Sequence, residues 1–293
     1  MSKARALAVL AAVLGIGIAG FARADTEHHT LWRIQGRHNT VYLLGSIHVL
    51  RDRDYPLPAA MMNAYAQSKA VVMEIDLSEM DSQGMQQEML EAATLPEGKT
   101  LHDMLGAGRY DHAKSLAAEV GVDLAMFDQF APWFVAEAIS QMQLMQLGFA
   151  PTSGVEMYFL DKARTDNKAT GGLESAHDQI ELFESMSAER QADYLVSSLE
   201  EAKSLPSEVD AMVGAWRRGD TQWFASQLEH EFGRDPRLFQ SVLAARNRKW
   251  IPKIEALLGE EKNYLVIVGA GHLVGHDSVI DLLKRDGIGA TQE

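Results

Sequence analysis

Two segments near opposite ends of the chain follow the same local plan. Residues 41–44 (VYLL) lead into GSIH at 45–48, and residues 265–268 (LVIV) lead into GAGH at 269–272. Each apolar run is typical of a buried strand, and each is followed by a glycine and, three positions later, by a histidine. Ligands bind beyond the carboxyl ends of strands in open α/β sheets. The repetition therefore predicts one sheet that brings His48 and His272 to the same edge.

Two further segments predict the strands beside these. Residues 31–34 (LWRI) and 41–44 flank the turn-forming residues GRHN, which indicates a β-hairpin. Residues 71–77 (VVMEIDL) have the β-branched content of another strand, and Glu74 lies near its end. We therefore expect a carboxylate close to the two histidines.

The middle of the chain has a different pattern. Apolar residues recur at helical spacing over most of residues 78–240, interrupted by a short strand at 168–173. We predict an α/β fold whose central sheet is built from the N- and C-terminal strands, with a large helical middle region. In this interpretation residues 25–293 form a single domain with a helical insertion at about 78–240.

The first residues have the layout of a secretory signal peptide. Lys3 and Arg5 precede an apolar run over residues 6–20, and Ala-Arg-Ala follows at 22–24. The run is shorter than the roughly 20 residues of a bilayer span. We predict cleavage after Ala24, a periplasmic or secreted mature chain, and no stable membrane span after cleavage.

Composition restricts the chemistry further. The chain has no cysteine, which excludes disulfides, thiol nucleophiles and cysteine-ligated metals. Any metal must be bound by histidine and carboxylate. The chain has 27 Lys and Arg against 41 Asp and Glu, a net charge of −14, so it lacks the basic character of nucleic-acid-binding proteins. We therefore predict no nucleic-acid partner.

Several residues are candidates for a site at the strand ends. Two imidazoles with a carboxylate suit a divalent metal, so His48, His272 and Glu74 are candidate ligands. The alternative is that both histidines are hydrogen-bonded loop residues, and the match between the two loops favours the functional interpretation. Zn²⁺, Mn²⁺ and Co²⁺ all suit such donors, and the sequence does not choose among them. Neither an H-E-x-x-H nor a G-x-S-x-G motif is present, which argues against an ordinary zincin or a serine α/β-hydrolase.

Two acids and an arginine complete the candidates. Glu156 and Glu174 each follow a glycine within two positions, and each could be a ligand, a general base or a solvated helix cap. Arg246 could bind a carboxylate or stabilise an oxyanion, or it could be a surface residue beside Asn247 and Arg248.

Taken in order, the motifs resemble the TraB/PrgY/GumN family, and most closely its bacterial GumN-like branch. The motifs are YLLGSIHV at 42–49, YPLP at 55–58, VMEID at 72–76, GVE at 154–156, GLES at 172–175, RNR at 246–248 and VGAGHLVG at 268–275.

The resemblance implies an α/β fold related to the erythromycin esterase and ChaN-like proteins. It also implies kinship with the TIKI proteins, which are described as metal-dependent peptidases. Carried over by motif, the implied active site contains the paired histidines with Glu74 and Glu174, and Arg246 and Glu156 match further family positions.

These observations lead to one hypothesis and two rivals. The hypothesis is an exported metal-dependent peptidase acting on a peptide or protein substrate. His48, Glu74 and His272 would hold the metal, Glu174 or Glu156 would be the general base, and Arg246 would stabilise the oxyanion. The rivals are a non-catalytic periplasmic protein that sequesters a peptide or haem, and an accessory factor in polysaccharide export.

Overall fold

A computed structural model describes residues 28–77, 83–202, 204–233 and 236–293; the predicted signal peptide at 1–24 and its cleavage site lie outside these residues. Six strands form one mixed sheet, in the order β4-β3-β5-β2-β1-β6. They are β1 (Leu31–Gln35), β2 (Thr40–Ser46), β3 (Ala70–Ile75), β4 (Ala169–Glu174), β5 (Tyr264–Gly269) and β6 (Ala290–Gln292). The predicted α/β class is confirmed.

The two strands that precede the histidines are neighbours. β2 and β5 pair in parallel, with Gly45 opposite Val268 and Ser46 opposite Gly269. β3 pairs in parallel with the other side of β5, and β4 pairs in parallel with β3. The carboxyl ends of all four parallel strands therefore meet at one edge of the sheet, and distant parts of the chain deliver side chains there.

The other side of the sheet is antiparallel. β1 and β2 form the predicted hairpin, with Leu31 opposite Leu44. β6 was not predicted, because three residues are too few to show alternation. It pairs with β1, placing Trp32 opposite Gln292, and the backbone N–H of Glu293 donates to the carbonyl of Leu31 at 2.9 Å.

Helices of the described residues cover the sheet and form the middle of the chain. They are α1 (Ala59–Gln67), α2 (Gln83–Ala93), α3 (Leu101–Leu105), α4 (Ala107–Glu119), α5 (Pro132–Gln146), α6 (Val155–Thr165), α7 (Ala176–Glu184), α8 (Ala188–Glu201), α9 (Leu205–Arg217), α10 (Thr221–Phe232), α11 (Pro236–Phe239), α12 (Ala245–Leu258) and α13 (Val279–Arg285). Within the part of the chain that the structure describes, no helix is long and apolar enough to cross a membrane.

The apolar core lies on the strands that carry the site. Leu43, Leu44, Val266 and Ile267 are completely buried. Full burial of each such side chain contributes roughly 1.5–3 kcal/mol, so the strand ends are held by a rigid layer. A second, smaller cluster lies in the helical middle and includes Leu101, Leu124, Val135 and Leu195.

Gly154 joins α6 to the turn that contains His48. A β-carbon at Gly154 would lie 2.1 Å from the backbone oxygen of His48, far inside van der Waals contact. The next residue, Val155, donates its N–H to the carbonyl of Ile47 at 3.1 Å. The glycine of the GVE motif is therefore required by close backbone approach, and it sets the position of Glu156 relative to His48.

We expect Gly154→Ala to lower the free energy of unfolding by about 1–3 kcal/mol, because backbone must move to accept the methyl group. Urea denaturation measures this change. Gly108→Ala is the matched control, since a β-carbon at Gly108 in α4 meets nothing within 4 Å and Ala favours the helix by about 0.5–1 kcal/mol. Equal stability of the two variants would contradict the steric argument.

Candidate functional site

All six predicted site residues lie together at the carboxyl edge of the parallel strands. Each comes from a strand end, from the turn after a strand, or from a helix packed above that edge. They are Glu74 at the end of β3, Glu174 at the end of β4, His48 and His272 after β2 and β5, Glu156 in the first turn of α6, and Arg246 in α12.

The Arg246 guanidinium is the centre of the cluster. Its Nη2 donates to Glu74 Oε2 at 2.5 Å and to Glu174 Oε1 at 2.6 Å, and its Nε donates to Glu174 at 3.0 Å. Its Nη1 lies 3.1 Å from both the carbonyl oxygen of Val242 and Nε2 of His272. All five N–H groups of a guanidinium are thereby used, and the side chain is only 14% exposed.

The segment around Arg246 explains its placement. A single turn of π-helix, Gln240–Ala244, precedes α12 and contains the Val242 carbonyl that Arg246 contacts. Such turns are rare and occur frequently at functional sites. Trp250, one turn later, lies under the guanidinium with 4.9 Å between Arg246 Cζ and the ring centre. The indole N–H of Trp250 donates to Glu174 Oε2 at 3.0 Å. One face of α12 therefore carries Arg246 and also fixes the position of its partner Glu174.

Glu74 is a buried, ionised carboxylate. Its Oε1 accepts the backbone N–H of Gly269 at 2.7 Å. Burial alone would raise its pKa, but the attraction of His272 and Arg246 outweighs burial and lowers the pKa to about 2. Because His272 is itself neutral at pH 7, Arg246 supplies the positive charge that Glu74 meets at that pH.

His272 is buried and held in one tautomer. Burial lowers the pKa of its imidazole to about 4. Arg246 can only donate, so Nε2 of His272 must be the acceptor, and Nδ1 carries the proton. That proton is donated to Asn247 Oδ1 at 2.6 Å, and Asn247 Nδ2 donates to the carbonyl of Asp277 at 2.8 Å, which fixes the orientation of the amide.

His48 has the opposite environment. Its side chain is 68% exposed, and its Nδ1 lies 2.7 Å from Oε1 of the buried Glu156. The Ser46 hydroxyl donates to the same Glu156 oxygen. The Glu156 charge raises the pKa of His48 above its ordinary value, and solvent screens part of that attraction because the ring is exposed. The arrangement is a carboxylate–imidazole pair whose Nε2 faces the cleft.

A space above Gly269 tests the predicted metal site. A β-carbon built on Gly269 would lie 3.3 Å from Glu74 Oε1, 3.6 Å from His48 Nε2 and 3.6 Å from His272 Cδ2. His272 thus presents a carbon to this space, while its Nε2 accepts from Arg246. Catalytic zinc sites use three protein ligands.

Of the three atoms nearest to that β-carbon, two are donors, His48 Nε2 and Glu74 Oε1. Among the described residues no group of three His, Asp or Glu side chains is placed to hold a metal ion. The residues therefore do not fit the predicted His48–Glu74–His272 metal site while Arg246 contacts His272.

The cluster opens into a cleft of about 270 Å³. Its polar lining is His48, Glu74, Glu156 and Gln179, and its apolar lining is Met73, Ile75, Leu77 and Met157. The Gln179 amide donates to Glu74 at 3.3 Å and to Glu174 at 3.0 Å.

Side chains that contact the cluster and were not among the predicted ones include Ser46, Gln179, Asn247 and Trp250. Two of them stood inside recognised motifs, Ser46 in GSIH and Asn247 in RNR. Gln179 and Trp250 carried no signal in the sequence.

Comparison with known proteins places this chain in a family. The sequence profile described as the TraB/PrgY/gumN family matches residues 30–292, which is nearly the whole described chain. The chain belongs to the TraB/PrgY/gumN family. No solved structure matches the chain at a significant level.

The family relatives include bacterial and animal proteins. YbaP of Escherichia coli (strain K12) is 23% identical over 269 residues, which cover 87% of this chain and 97% of YbaP. Metalloprotease TIKI2 of Xenopus tropicalis is 21% identical over 325 residues, covering 92% of this chain and 61% of that protein. Metalloprotease TIKI1 of Homo sapiens is 20% identical over 88% of this chain and 60% of its own length. This chain therefore spans about three fifths of the TIKI proteins.

We expect Glu156→Gln to lower the pKa of His48 towards its ordinary value of about 6.5. The loss of the carboxylate charge removes the interaction that stabilises the protonated ring. NMR titration of the histidine ring protons measures the shift, while His272 stays neutral throughout. Glu200→Gln is the matched control, because Glu200 pairs with the exposed His112 at 3.1 Å, away from the cleft. An unchanged pKa of His48 in Glu156→Gln would contradict the assigned pair.

Proposed function

We propose that this protein is an exported peptidase that hydrolyses a peptide bond at the Arg246-centred cluster. The observation that carries the proposal is the His48–Glu156 pair, in which a buried carboxylate orients an exposed imidazole towards a cleft. Distant relatives described as metalloproteases support a peptide or protein substrate. Export rests on the signal-peptide pattern of residues 1–24, and N-terminal sequencing of the exported protein, expected to begin at Asp25, checks it.

His48 is the proton acceptor in this proposal, in its neutral form; because Glu156 raises the pKa of His48, cleavage is expected to increase with pH as the ring loses its proton. Its Nδ1 proton is held by Glu156, so Nε2 is the nitrogen that can take a proton from an attacking water. Glu156 then stabilises the imidazolium that forms, as carboxylates do in other carboxylate–histidine pairs. Ser46 keeps the Glu156 carboxylate in place by donating to the same oxygen.

Glu174 and Arg246 have supporting roles. Glu174 accepts from Arg246, Trp250 and Gln179, so its oxygens are occupied and it positions the guanidinium. Arg246 has all its donors engaged, and two carboxylates offset its charge. Stabilisation of negative charge on a substrate carbonyl oxygen by Arg246 therefore requires that one of its N–H groups be released to the substrate.

The names of the metalloprotease relatives imply a divalent ion. In the observed arrangement the side chains provide no third ligand for it. His272 becomes a ligand only when Arg246 gives up its contact with Nε2. The metal-dependent form of the proposal therefore requires a movement of Arg246, whereas the His48–Glu156 pair requires none.

We expect His48→Ala to reduce kcat/KM for peptide cleavage by about 100-fold or more, the contribution of a positioned general base. Glu156→Gln should cause a smaller loss, because the imidazole remains but loses its partner. A fluorogenic peptide library measures these rates. His112→Ala is the control, since His112 is an exposed histidine in a carboxylate pair outside the cleft.

Stoichiometric peptide or haem binding without turnover in the wild-type protein would contradict the peptidase proposal and support the sequestering function. Failure to bind or cleave peptides, together with a defect in polysaccharide export on deletion, would support the accessory role.

We expect Arg246→Met to bind Zn²⁺, Mn²⁺ or Co²⁺ about tenfold more tightly than the wild type or better, on the scale of other changes next to metal ligands. The substitution frees His272 Nε2, removes the guanidinium from Glu74 Oε2 and leaves two buried carboxylates without a cation. Isothermal titration calorimetry measures the affinity, with circular dichroism to confirm folding. Arg248→Met, at a side chain 47% exposed, is the control. Equal metal affinity of wild type and Arg246→Met would contradict competition between the guanidinium and the metal.

A further inference from the structure

One wall of the cleft is made of apolar side chains and has no role in the chemistry above. Met73 and Ile75 on β3 are 2% and 8% exposed, and Leu77 and Met157 are half-buried. Met157 directly follows Glu156 in α6, so one helix turn supplies both the partner of His48 and part of this wall. The wall therefore lies beside the imidazole that we propose as the base.

The charged groups of the cleft are already paired. Glu74 is neutralised by Arg246, and Glu156 lies against His48. Gln179 is neutral and donates to Glu74. A charged substrate side chain at the apolar wall would lose its hydration, and the four apolar side chains of the wall offer it no polar partner, which is unfavourable.

The size of the cleft limits what it can hold. At about 270 Å³ it is smaller than the roughly 300–1,000 Å³ of pockets that enclose whole drug-sized ligands. It suits one side chain and the adjoining peptide group better than a long stretch of peptide. Two of its four apolar residues are methionines, whose unbranched side chains adapt to differently shaped apolar partners.

We propose that Met73, Ile75, Leu77 and Met157 form a subsite for one neutral apolar side chain, of the leucine or methionine class, next to the scissile peptide bond. The inference rests on the proposed peptidase function, because it names the class of substrate side chain that binds in the same cleft. It makes the residue beside the cut the main determinant of specificity.

Binding tests the subsite separately from cleavage. The probes are N-acetyl-leucinamide, N-acetyl-methioninamide, the α-amide of N-acetyl-aspartic acid with its side-chain carboxylate free, and N-acetyl-lysinamide. The readout is the methyl NMR signals of Met73 and Met157. We expect the two apolar amides to shift both signals and the two charged amides to leave them unchanged. Absence of a shift with the apolar amides would overturn the subsite, whether or not the protein cleaves peptides.

Peptide cleavage tests the effect of the subsite on substrate preference. Among peptides that differ at one position, we expect kcat/KM for Leu or Met to exceed that for Asp or Lys by about 10-fold or more. Met157→Glu should lower kcat/KM for the apolar peptides, whereas Met126→Glu should not, because Met126 is 77% exposed in a different part of the chain.

The outcomes separate the two proposals. Cleavage without side-chain preference would overturn the subsite and keep the peptidase. Binding of the apolar amides at Met157 without any cleavage would keep the subsite and overturn the peptidase.

Discussion

The Arg246 guanidinium, held between two buried carboxylates, is the interaction on which the site depends. It joins Glu74 at the end of β3, Glu174 at the end of β4 and His272 after β5, so a single side chain connects three neighbouring strand ends. Removing one partner of a buried ion pair typically costs about 3–5 kcal/mol, because the remaining charge stays buried and uncompensated. The gain from the pair lies less in stability than in geometry, since the guanidinium fixes the position of both carboxylates.

The same sequence pattern produces two histidines with opposite properties. His272 is buried between Arg246 and Asn247, and burial keeps it neutral. His48 is exposed beside Glu156, whose charge favours the protonated ring. The difference arises from the partners that other elements bring, α12 in one case and α6 in the other. An exposed imidazole that favours its protonated form and a buried neutral imidazole are therefore built from one repeated motif.

Much of the framework could be predicted because it depends on local pattern. The hairpin, the strand over 71–77 and the adjacency of the two G-x-x-H strands follow from apolar runs and turn residues. β6 and the π-turn could not be predicted, since one is too short to show a period and the other looks like ordinary helix. The pairing of Arg246 with both Glu74 and Glu174 could not be predicted either. It joins residues more than 70 positions apart and depends on how α12 packs on the sheet.

The position of Arg246 also explains why a set of side chains that resembles a metal site offers a metal ion no third ligand. Two carboxylates next to one guanidinium leave an excess of negative charge at the strand ends, which favours a second cation nearby. The nitrogen that would complete the coordination of a divalent cation is His272 Nε2. Its lone pair already accepts a hydrogen bond from the Arg246 guanidinium. The Arg246 guanidinium and an incoming divalent metal ion thus depend on the same groups of the protein. In this chain, a third ligand from His272 therefore requires Arg246 to leave its contact with Nε2, whatever the position of the paired histidines.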